Sequence, residues 1–196
     1  MMIDRDRRTR FVERARAWLA QDPVVLDLET TGIGPWDQAV QVGAVDTRGN
    51  VVFHSLIRPT RPIPADAIAI HGITNEAVSL APTGIAVLEQ LLAVIAGRLV
   101  CTYNAAFDLR LLRQTARAWG MVLPELRVEC IMQLYSEWAG QWDTRHGSLR
   151  WHSLRNAAKD CHLGEYRAHD ALEDARLAAR LLRYIAGEPD CNTLAV

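Results

Sequence analysis

Residues 24–34 read VVLDLETTGIG, a stretch that begins as a hydrophobic strand and then carries two carboxylates, Asp27 and Glu29. Residues two apart on a strand point to the same face, so the two acids project together while Leu26 and Leu28 point to the other face. Adjacent carboxylates repel each other and burial increases the cost, whereas a bound cation would relieve both. Because oxygen-only ligands favour Mg²⁺ or Mn²⁺, the pair indicates either a metal site or a solvated acidic face.

The composition limits the class of protein. The chain has 196 residues, 49% of them hydrophobic, which suits one domain or one domain with an extension. The formal net charge is −1, and the basic residues are 21 arginines and a single lysine, Lys159. The planar guanidinium suits phosphate better than an ammonium group does, although genomic base composition also explains an arginine bias. Bulk charge alone therefore does not indicate a nucleic-acid partner.

Cysteine spacing and the lack of targeting signals favour a cytoplasmic protein. The four cysteines are scattered without a C-x-x-C pair, which is typical of reduced thiols in the cytosol. No apolar run reaches the ~18 residues that a membrane span needs. The segment MMIDRDRRTR has no apolar stretch after its charges, so we expect neither a secretory signal nor a membrane partner.

The beginning of the chain predicts a helix over residues 1–20, because Phe11, Ala15 and Trp18 recur at helical spacing. Six arginines against three acids give this segment a local charge of +3. We interpret it as a helix packed on the core with a solvated basic face, and a nucleic-acid-binding arm is the alternative. The predicted organisation is a basic helical extension over 1–22, a main domain over 23–187 and a tail over 188–196.

The remaining pattern indicates a mixed α/β sheet covered by helices. Strands are predicted over 24–29, 38–46 and 51–57, the last two joined as a hairpin, and a further short strand over 98–102. Helices are predicted over 84–97, 104–119, 128–138, 150–159 and 171–186, with a further short helix from about residue 65. Asn104 is placed to cap the second of these helices with its side chain.

Two later segments supply further acids. The segment TYNAAFDLRLL, residues 102–112, places Asp108 one turn into a predicted helix. In HDALEDARLAARLL, residues 169–182, Asp170 and Glu173 suit a capping box, and Asp174 lies one turn inside the helix. His169 stands just before that helix, and a histidine beside metal-binding acids can accept a proton near neutral pH. Taken singly, each of these residues is also explained by a structural role.

Together these segments resemble the DEDDh family of 3′–5′ exonucleases, which includes the proofreading subunit of bacterial replicative polymerase and the ribonuclease T group. The matching segments are DLETTG at 27–32, HGIT at 71–74, YNAAFD at 103–108 and HDALEDA at 169–175. Each is a weak signal, and the four in order are a strong one. Two positions depart from the family: Tyr103, where many members carry His, and Gln41, where many carry Glu. The first 20 residues have no counterpart in the family core.

The resemblance implies a ribonuclease H-like α/β fold, a five-stranded mixed sheet flanked by helices, with the exonuclease domain over 23–187. It implies that Asp27 bridges two divalent cations, Mg²⁺ or Mn²⁺. Glu29 and Asp174 would complete the site of the ion that holds the attacking water. Asp108 would serve the second ion, and His169 would be the general base.

The implied activity is metal-dependent removal of nucleoside 5′-monophosphates from a free 3′ end of nucleic acid, with DNA favoured. By the same resemblance, residues near the terminal nucleotide are Thr30, Ile33, Ile70, His71 and Asn104, although turn and packing roles explain them equally well. An RNA-trimming 3′–5′ exoribonuclease and a non-catalytic nucleic-acid-binding module stay open as alternatives. Retention of all five catalytic residues favours an enzyme. A free enzyme and a member of a polymerase or repair complex fit equally, and the oligomeric state is open.

The segment WAGQWDTRHGSLRW, residues 138–151, combines three tryptophans with glycine and charge. Tryptophans of this kind can stack on bases, and core or hinge packing is the simpler explanation. The composition suits a mobile loop beside the active site.

Overall fold

A five-stranded mixed sheet forms the centre of the fold. The computed structural model describes residues 2–164 and 167–188, with side chains described from residue 8 onward. The strands are β1 (Val24–Thr30), β2 (Ala39–Val45), β3 (Val51–Leu56), β4 (Val100–Thr102) and β5 (Val128–Cys130). Their order is β3-β2-β1-β4-β5; β2 is antiparallel to β1 and β3, whereas β4 is parallel to β1 and β5. The fold class predicted from the sequence is confirmed.

Helices cover both faces of this sheet. The described helices are α1 (Met2–Leu19), α2 (Ala65–His71), α3 (Asn75–Ser79), α4 (Gly84–Ile95), α5 (Ala105–Ala118), α6 (Ile131–Ala139), α7 (Leu154–Asp160) and α8 (Ala171–Ala186). A small separate hairpin is formed by β6 (Trp142–Asp143) and β7 (Ser148–Leu149). Among the helices of the described ranges, none has both the length and the apolar character of a membrane span.

Four features differ from the sequence prediction. The helix predicted over 150–159 begins only at Leu154, where the Ser153 hydroxyl caps it by accepting a hydrogen bond from the Asn156 amide. The helix predicted over 128–138 begins only at Ile131, because residues 128–130 pair with β4 as an edge strand. Helix α3 was not predicted, since five residues are too few for a periodic signal. The segment predicted as a loop within 138–151 contains the β6–β7 hairpin.

Strand β1 lies between two of the hydrophobic clusters of the core. Val25 belongs to a cluster with residues of α1, α6 and α8. Leu26 and Leu28 belong to a second cluster with residues of α4 and α5. Asp27 and Glu29 alternate with these leucines and therefore point to the side covered by α8. The predicted division of the two faces is confirmed.

Helix α1 packs on the same side of the sheet. Phe11, Ala15 and Trp18 are buried there in the cluster that α6 and α8 also form. Arg14 forms an ion pair with Glu137 of α6. These contacts favour the packed helix over the arm, while the domain division at residue 22 stays a prediction. The predicted tail lies outside the described residues from residue 189 onward.

Helix α8 approaches the sheet closely because Gly43 of β2 has no side chain. A Cβ atom at Gly43 would lie 2.4 Å from the backbone nitrogen of Leu172 and 2.5 Å from the carbonyl carbon of Ala171. Gly43 is also the residue of β2 that pairs with Asp27 of β1. The first turn of α8 therefore lies over the sheet beside the acidic pair.

Candidate active site

The acidic pair lies toward the carboxyl end of β1. Glu29 is buried, with 8% of its surface exposed, and Asp27 is half-buried. The parallel strand β4 runs beside β1, so the start of α5, which follows β4, lies at the same edge of the sheet. That edge is where open α/β sheets bind ligands. Asp108, in the first turn of α5, is 3% exposed.

Asn104 precedes α5 but does not cap it with its side chain, so that prediction is wrong. The Asn104 carbonyl oxygen instead accepts hydrogen bonds from the backbone amides of Phe107 at 2.9 Å and Asp108 at 3.1 Å. The residue also lines the cleft that contains the acids.

The start of α8 is fixed by two side-chain acceptors. Asp170 Oδ1 accepts hydrogen bonds from the amides of Leu172 at 3.0 Å and Glu173 at 3.3 Å, which confirms Asp170 as the helix cap. Gln41 Oε1, from β2, accepts a hydrogen bond from the Ala171 amide at 3.0 Å. These bonds fix the first turn of α8 above the sheet. Gln41, which stands where many family members carry Glu, therefore has a structural role.

His169 is held against Asp174 by its own backbone. The His169 amide donates a hydrogen bond to Asp174 Oδ2 at 3.0 Å. Its φ of +63° lies in the left-handed region, which is uncommon for a residue with a side chain. Such conformations persist when surrounding contacts enforce them and are frequent at functional sites. The imidazole is exposed at the edge of the cleft.

All five residues of the predicted site come together. One ligand atom each of Glu29, His169 and Asp174 lies within 4.8 Å of the other two. Asp27, Asp108, His169 and Asp174 line one cleft of about 360 Å³. Residues from β1, α5 and the start of α8, widely separated in sequence, therefore form a single constellation.

The carboxylates of this constellation are difficult to ionise together. Burial raises the pKa of Asp27 well above its ordinary range, and the neighbouring Asp108 and Asp174 raise it further. Burial, followed by the charges of Asp174 and Asp170, raises the pKa of Glu29 to about 8. Burial also raises the pKa of Asp108 to about 7, although hydrogen bonds from Thr102 and the backbone lower it. Crowded, buried oxygen donors of this kind fit divalent cations such as Mg²⁺ or Mn²⁺.

Comparison with known proteins agrees with this geometry. The sequence model of the RNase T group of exonucleases matches residues 24–182. The chain belongs to this exonuclease family. It is 37% identical over 184 residues to the exonuclease CP81 of Escherichia phage 186, an alignment that covers 89% of this chain and 93% of that protein.

The chain is also similar to part of a DNA polymerase and to a solved exonuclease. The chain is 33% identical over 173 residues to a PolC-type DNA polymerase III of Thermotoga maritima, an alignment that covers 83% of this chain and 12% of that polymerase. The solved structure of exonuclease X in complex with 5′-overhanging duplex DNA shares 26% identity and a TM-score of 0.59. That alignment covers 85% of this chain and 94% of exonuclease X. The ribonuclease H-like sheet is therefore shared with other exonucleases.

Of the residues expected at the terminal nucleotide, Asn104 lines the acidic cleft, and His71 contacts Thr30 at the end of β1. His71 Nδ1 accepts a hydrogen bond from the Ile73 amide at 3.0 Å, so Nε2 carries the proton and lies 3.2 Å from the Thr30 carbonyl oxygen. This bond ties the end of β1 to α2. Ile33 and Ile70 are 80% and 60% exposed, which is unusual for isoleucine and leaves both side chains available for contact.

Helix α5 of the exonuclease fixes the loop that carries Ile33. Arg110 donates hydrogen bonds to the carbonyl oxygens of Gly34 at 3.1 Å and Ile33 at 3.3 Å. Gln114, one turn later, donates to the carbonyl oxygens of Gly34 and Asp37, both at 3.0 Å. The sequence did not predict this supporting role for Arg110 and Gln114. It indicated only that residues four apart lie on one face of a helix.

Residues 153–155 form part of the cleft wall. Ser153, Leu154 and Arg155 line the cleft together with Tyr103 and Phe107, and the sequence did not predict Ser153 or Leu154 there. The buried Tyr103 hydroxyl donates a hydrogen bond to the His152 carbonyl oxygen at 2.7 Å, which holds this wall in place. Tyr103, which stands where many family members carry His, therefore makes a structural contact. Nothing in the sequence around Tyr103 indicated that His152 would be its partner.

Proposed function

We propose that this exonuclease removes nucleoside 5′-monophosphates from the free 3′ end of DNA in a metal-dependent reaction. The observation that carries the proposal is the convergence of four carboxylates and His169 on one cleft. The residues that would hold two divalent cations, Mg²⁺ or Mn²⁺, are Asp27, Glu29, Asp108 and Asp174. Bound cations supply a water of lowered pKa and positive charge that stabilises the leaving 3′ oxygen.

His169 is the proposed general base. Its ring lies within reach of the same acids, and its exposed position at the cleft edge leaves room for an attacking water. Histidine is the side chain that most often serves as a general base. The hydrogen bond from the His169 amide to Asp174 holds the backbone of the proposed base beside the acidic cluster.

The terminal nucleotide is proposed to lie between the end of β1 and the start of α5. Ile33 and Ile70 offer exposed apolar surface for its base and sugar. His71 keeps the Thr30 backbone in place through its hydrogen bond, and Asn104 lines the cleft beside Asp108. The exposure of Ile33 and Ile70 and the position of Asn104 in the cleft are the observations that support these proposed contacts.

Relatives support DNA as the substrate. Exonuclease X has been solved with duplex DNA, and the Thermotoga maritima relative is a DNA polymerase. The same similarity makes a polymerase or repair complex a reasonable setting for the exonuclease. An RNA-trimming activity remains the alternative, since discrimination depends on contacts to the 2′ hydroxyl group.

The proposal is tested with end-labelled single-stranded DNA, duplex DNA and RNA, each with a free or a blocked 3′ end. We expect release of mononucleotides from free 3′ ends of DNA in Mg²⁺ or Mn²⁺ and none in EDTA. Asp27→Ala should abolish the release because it removes a central acidic ligand. Glu89→Gln, which changes an exposed acid on α4, is the matched control and should retain full activity.

Other results of this hydrolysis assay would contradict the proposal or favour one of the alternative functions. Release from a blocked 3′ end would contradict the proposed direction, and faster release from RNA would favour the exoribonuclease. Metal-dependent binding without hydrolysis on any substrate would favour the non-catalytic module. Activity that survives Asp27→Ala would reject the site.

A further inference from the structure

The β6–β7 hairpin carries two large exposed aromatic side chains. We call residues 141–151 the tryptophan hairpin. Within it, 62% of Trp142 and 67% of Trp151 is exposed. Trp142 lies opposite Leu149 across the hairpin, and Trp151 follows Leu149 by two residues. Two exposed indoles on one small hairpin indicate a contact surface rather than core packing.

The charge around these indoles is positive. Residues 141–155 contain three arginines and one acid, Asp143. Arg145, Arg150 and Arg155 are all exposed. The single acid is already engaged, because Asp143 Oδ2 lies 2.8 Å from His146 Nδ1 and Asp143 Oδ1 accepts from the Arg145 amide at 2.9 Å. The surface therefore combines stacking faces with guanidinium groups, which suits a polyanion with exposed bases.

The hairpin is an ordered scaffold. The Gly147 amide donates to the Asp143 carbonyl oxygen at 2.9 Å, and Gly147 has the positive φ of +62° that this turn requires. The Arg150 amide donates to the Gln141 carbonyl oxygen at 2.8 Å, so the pairing continues beyond the two-residue strands. The aromatic side chains are thus presented from a backbone with its own hydrogen bonds, which lowers the ordering cost of binding.

The hairpin is continuous with the catalytic cleft. Ser153, two residues after Trp151, already lines the cleft, and so does Arg155. Two residues span at most about 7 Å of chain. The hydrogen bond between Tyr103 and the His152 carbonyl oxygen fixes the connecting segment against the cleft wall. A strand whose 3′ end lies in the cleft therefore passes the tryptophan hairpin within a few nucleotides.

We propose that the tryptophan hairpin binds the unpaired bases that precede the terminal nucleotide of the substrate strand. Trp142 and Trp151 stack on these bases, while Arg145 and Arg150 contact the intervening phosphates. Stacking of this kind accepts any base, and a duplex offers no exposed base faces, so the surface selects single-stranded or frayed 3′ ends. The proposal deepens the proposed function and rests on it.

The test compares a 12-nucleotide single strand of DNA with a dinucleotide. Trp142→Ala and Trp151→Ala should each weaken binding of the 12-nucleotide strand roughly five- to hundred-fold, measured by fluorescence anisotropy in Ca²⁺. The KM for that strand should rise by a similar factor with little change in kcat. Hydrolysis of the dinucleotide, which is too short to reach the hairpin, should change far less. Phenylalanine at either position should restore most of the affinity.

Control variants distinguish loss of stacking at the tryptophans from a general effect of removing apolar or basic surface on DNA binding. Leu80→Ala removes a side chain that is 96% exposed and distant in sequence, and it should leave binding unchanged. Arg145→Gln and Arg150→Gln should each reduce the salt dependence of binding by about one unit of slope, whereas Arg58→Gln, near the opposite sheet edge, should not. Melting curves establish that each variant is folded.

The outcomes keep the two proposals apart. Equal losses on the dinucleotide and on the 12-nucleotide strand, or unchanged binding in both tryptophan variants, would reject the hairpin as a substrate surface. Because binding is measured in Ca²⁺, it does not depend on hydrolysis. Wild-type protein that hydrolyses neither substrate would reject the proposed function, while selective loss of strand binding in the variants would still support the hairpin.

Discussion

Among single residues, Gly43 determines how closely α8 can lie on the sheet beside Asp27. A methyl group at this position would collide with backbone atoms of Ala171 and Leu172, which cannot rotate away. We therefore expect Gly43→Ala to lower the free energy of unfolding by about 1–3 kcal/mol. Catalysis should fall by more than this loss explains, since Asp174 moves with the helix and a shift of ~1 Å can cost about a hundredfold in rate.

Urea unfolding and kcat measured at low temperature check this expectation. Gly97→Ala is the matched control, because Gly97 has a φ of +71° and no atom within 4 Å of the added methyl group. That variant should lose about 1–3 kcal/mol through backbone strain and keep its kcat. A Gly43→Ala protein with wild-type kcat would show that the close approach does not position Asp174.

The acids and the histidine that line the cleft were singled out by four short motifs in order, and the contacts that support them were not predicted. Asp27 and Glu29 stand two apart on a strand and His169 precedes Asp174 by five residues, but either spacing alone also has a structural explanation. The contact between Tyr103 and His152 joins residues that are 49 apart, and Gly43 matters only through α8. Such contacts depend on tertiary packing, which a single sequence does not display.

Helix α1 is an element whose role can be decided by experiment. It is basic on one side, yet Trp18 is only 7% exposed and packs in the cluster that α8 shares. We expect Trp18→Ala to lower the free energy of unfolding by about 3–5 kcal/mol, because a large buried side chain leaves a cavity. Chemical denaturation measures the loss.

Arg10→Gln, on the exposed side of the same helix, is the control and should leave stability nearly unchanged. A nucleic-acid-binding arm would give the reverse pattern: a small stability loss in Trp18→Ala and weaker, less salt-dependent DNA binding in Arg10→Gln. That reverse pattern would contradict the packed-helix interpretation.

Among the elements, long periodic segments were predicted well; of the short strands, β4 was predicted and β5, β6 and β7 were not. Strands β1, β2 and β3 and helix α8 carry six residues or more of regular pattern, and their positions agree closely with the prediction. Strand β5 has three residues and β6 and β7 have two each, which is too few to show alternation. They form because neighbouring backbone offers hydrogen-bond partners.

The stability of the whole molecule should depend on pH through its acidic cluster. The pKa of Glu29 is about 8 in the folded protein against an ordinary value of 4.5, and that of Asp108 is about 7. Between pH 4.5 and about pH 8, Glu29 and Asp108 keep protons in the folded protein that they lose in the unfolded chain. The free energy of unfolding therefore decreases as the pH rises. Melting temperatures in EDTA should therefore fall between about pH 5 and pH 8.

Divalent cations should reverse this trend. Mn²⁺ at millimolar concentration binds the ionised carboxylates of the folded protein and raises the melting temperature by mass action. The increase should be largest at the upper end of the pH range, because protons compete with the cation at the lower end. Asp27→Asn should melt higher than wild type in EDTA and respond less to Mn²⁺. Melting temperatures indifferent to Mn²⁺ at pH 8 would contradict the metal site.

The loop that carries Ile33 has a consequence for how substrate preference can change. Four hydrogen bonds from Arg110 and Gln114 hold its backbone, so little chain entropy remains to be lost when a strand end arrives. The Ile33 side chain, in contrast, projects into solvent. A substitution at this one position alters the surface offered to a nucleotide without remodelling its support. Substitutions at Ile33 can therefore change which nucleotide is preferred, while the residues proposed for hydrolysis stay the same.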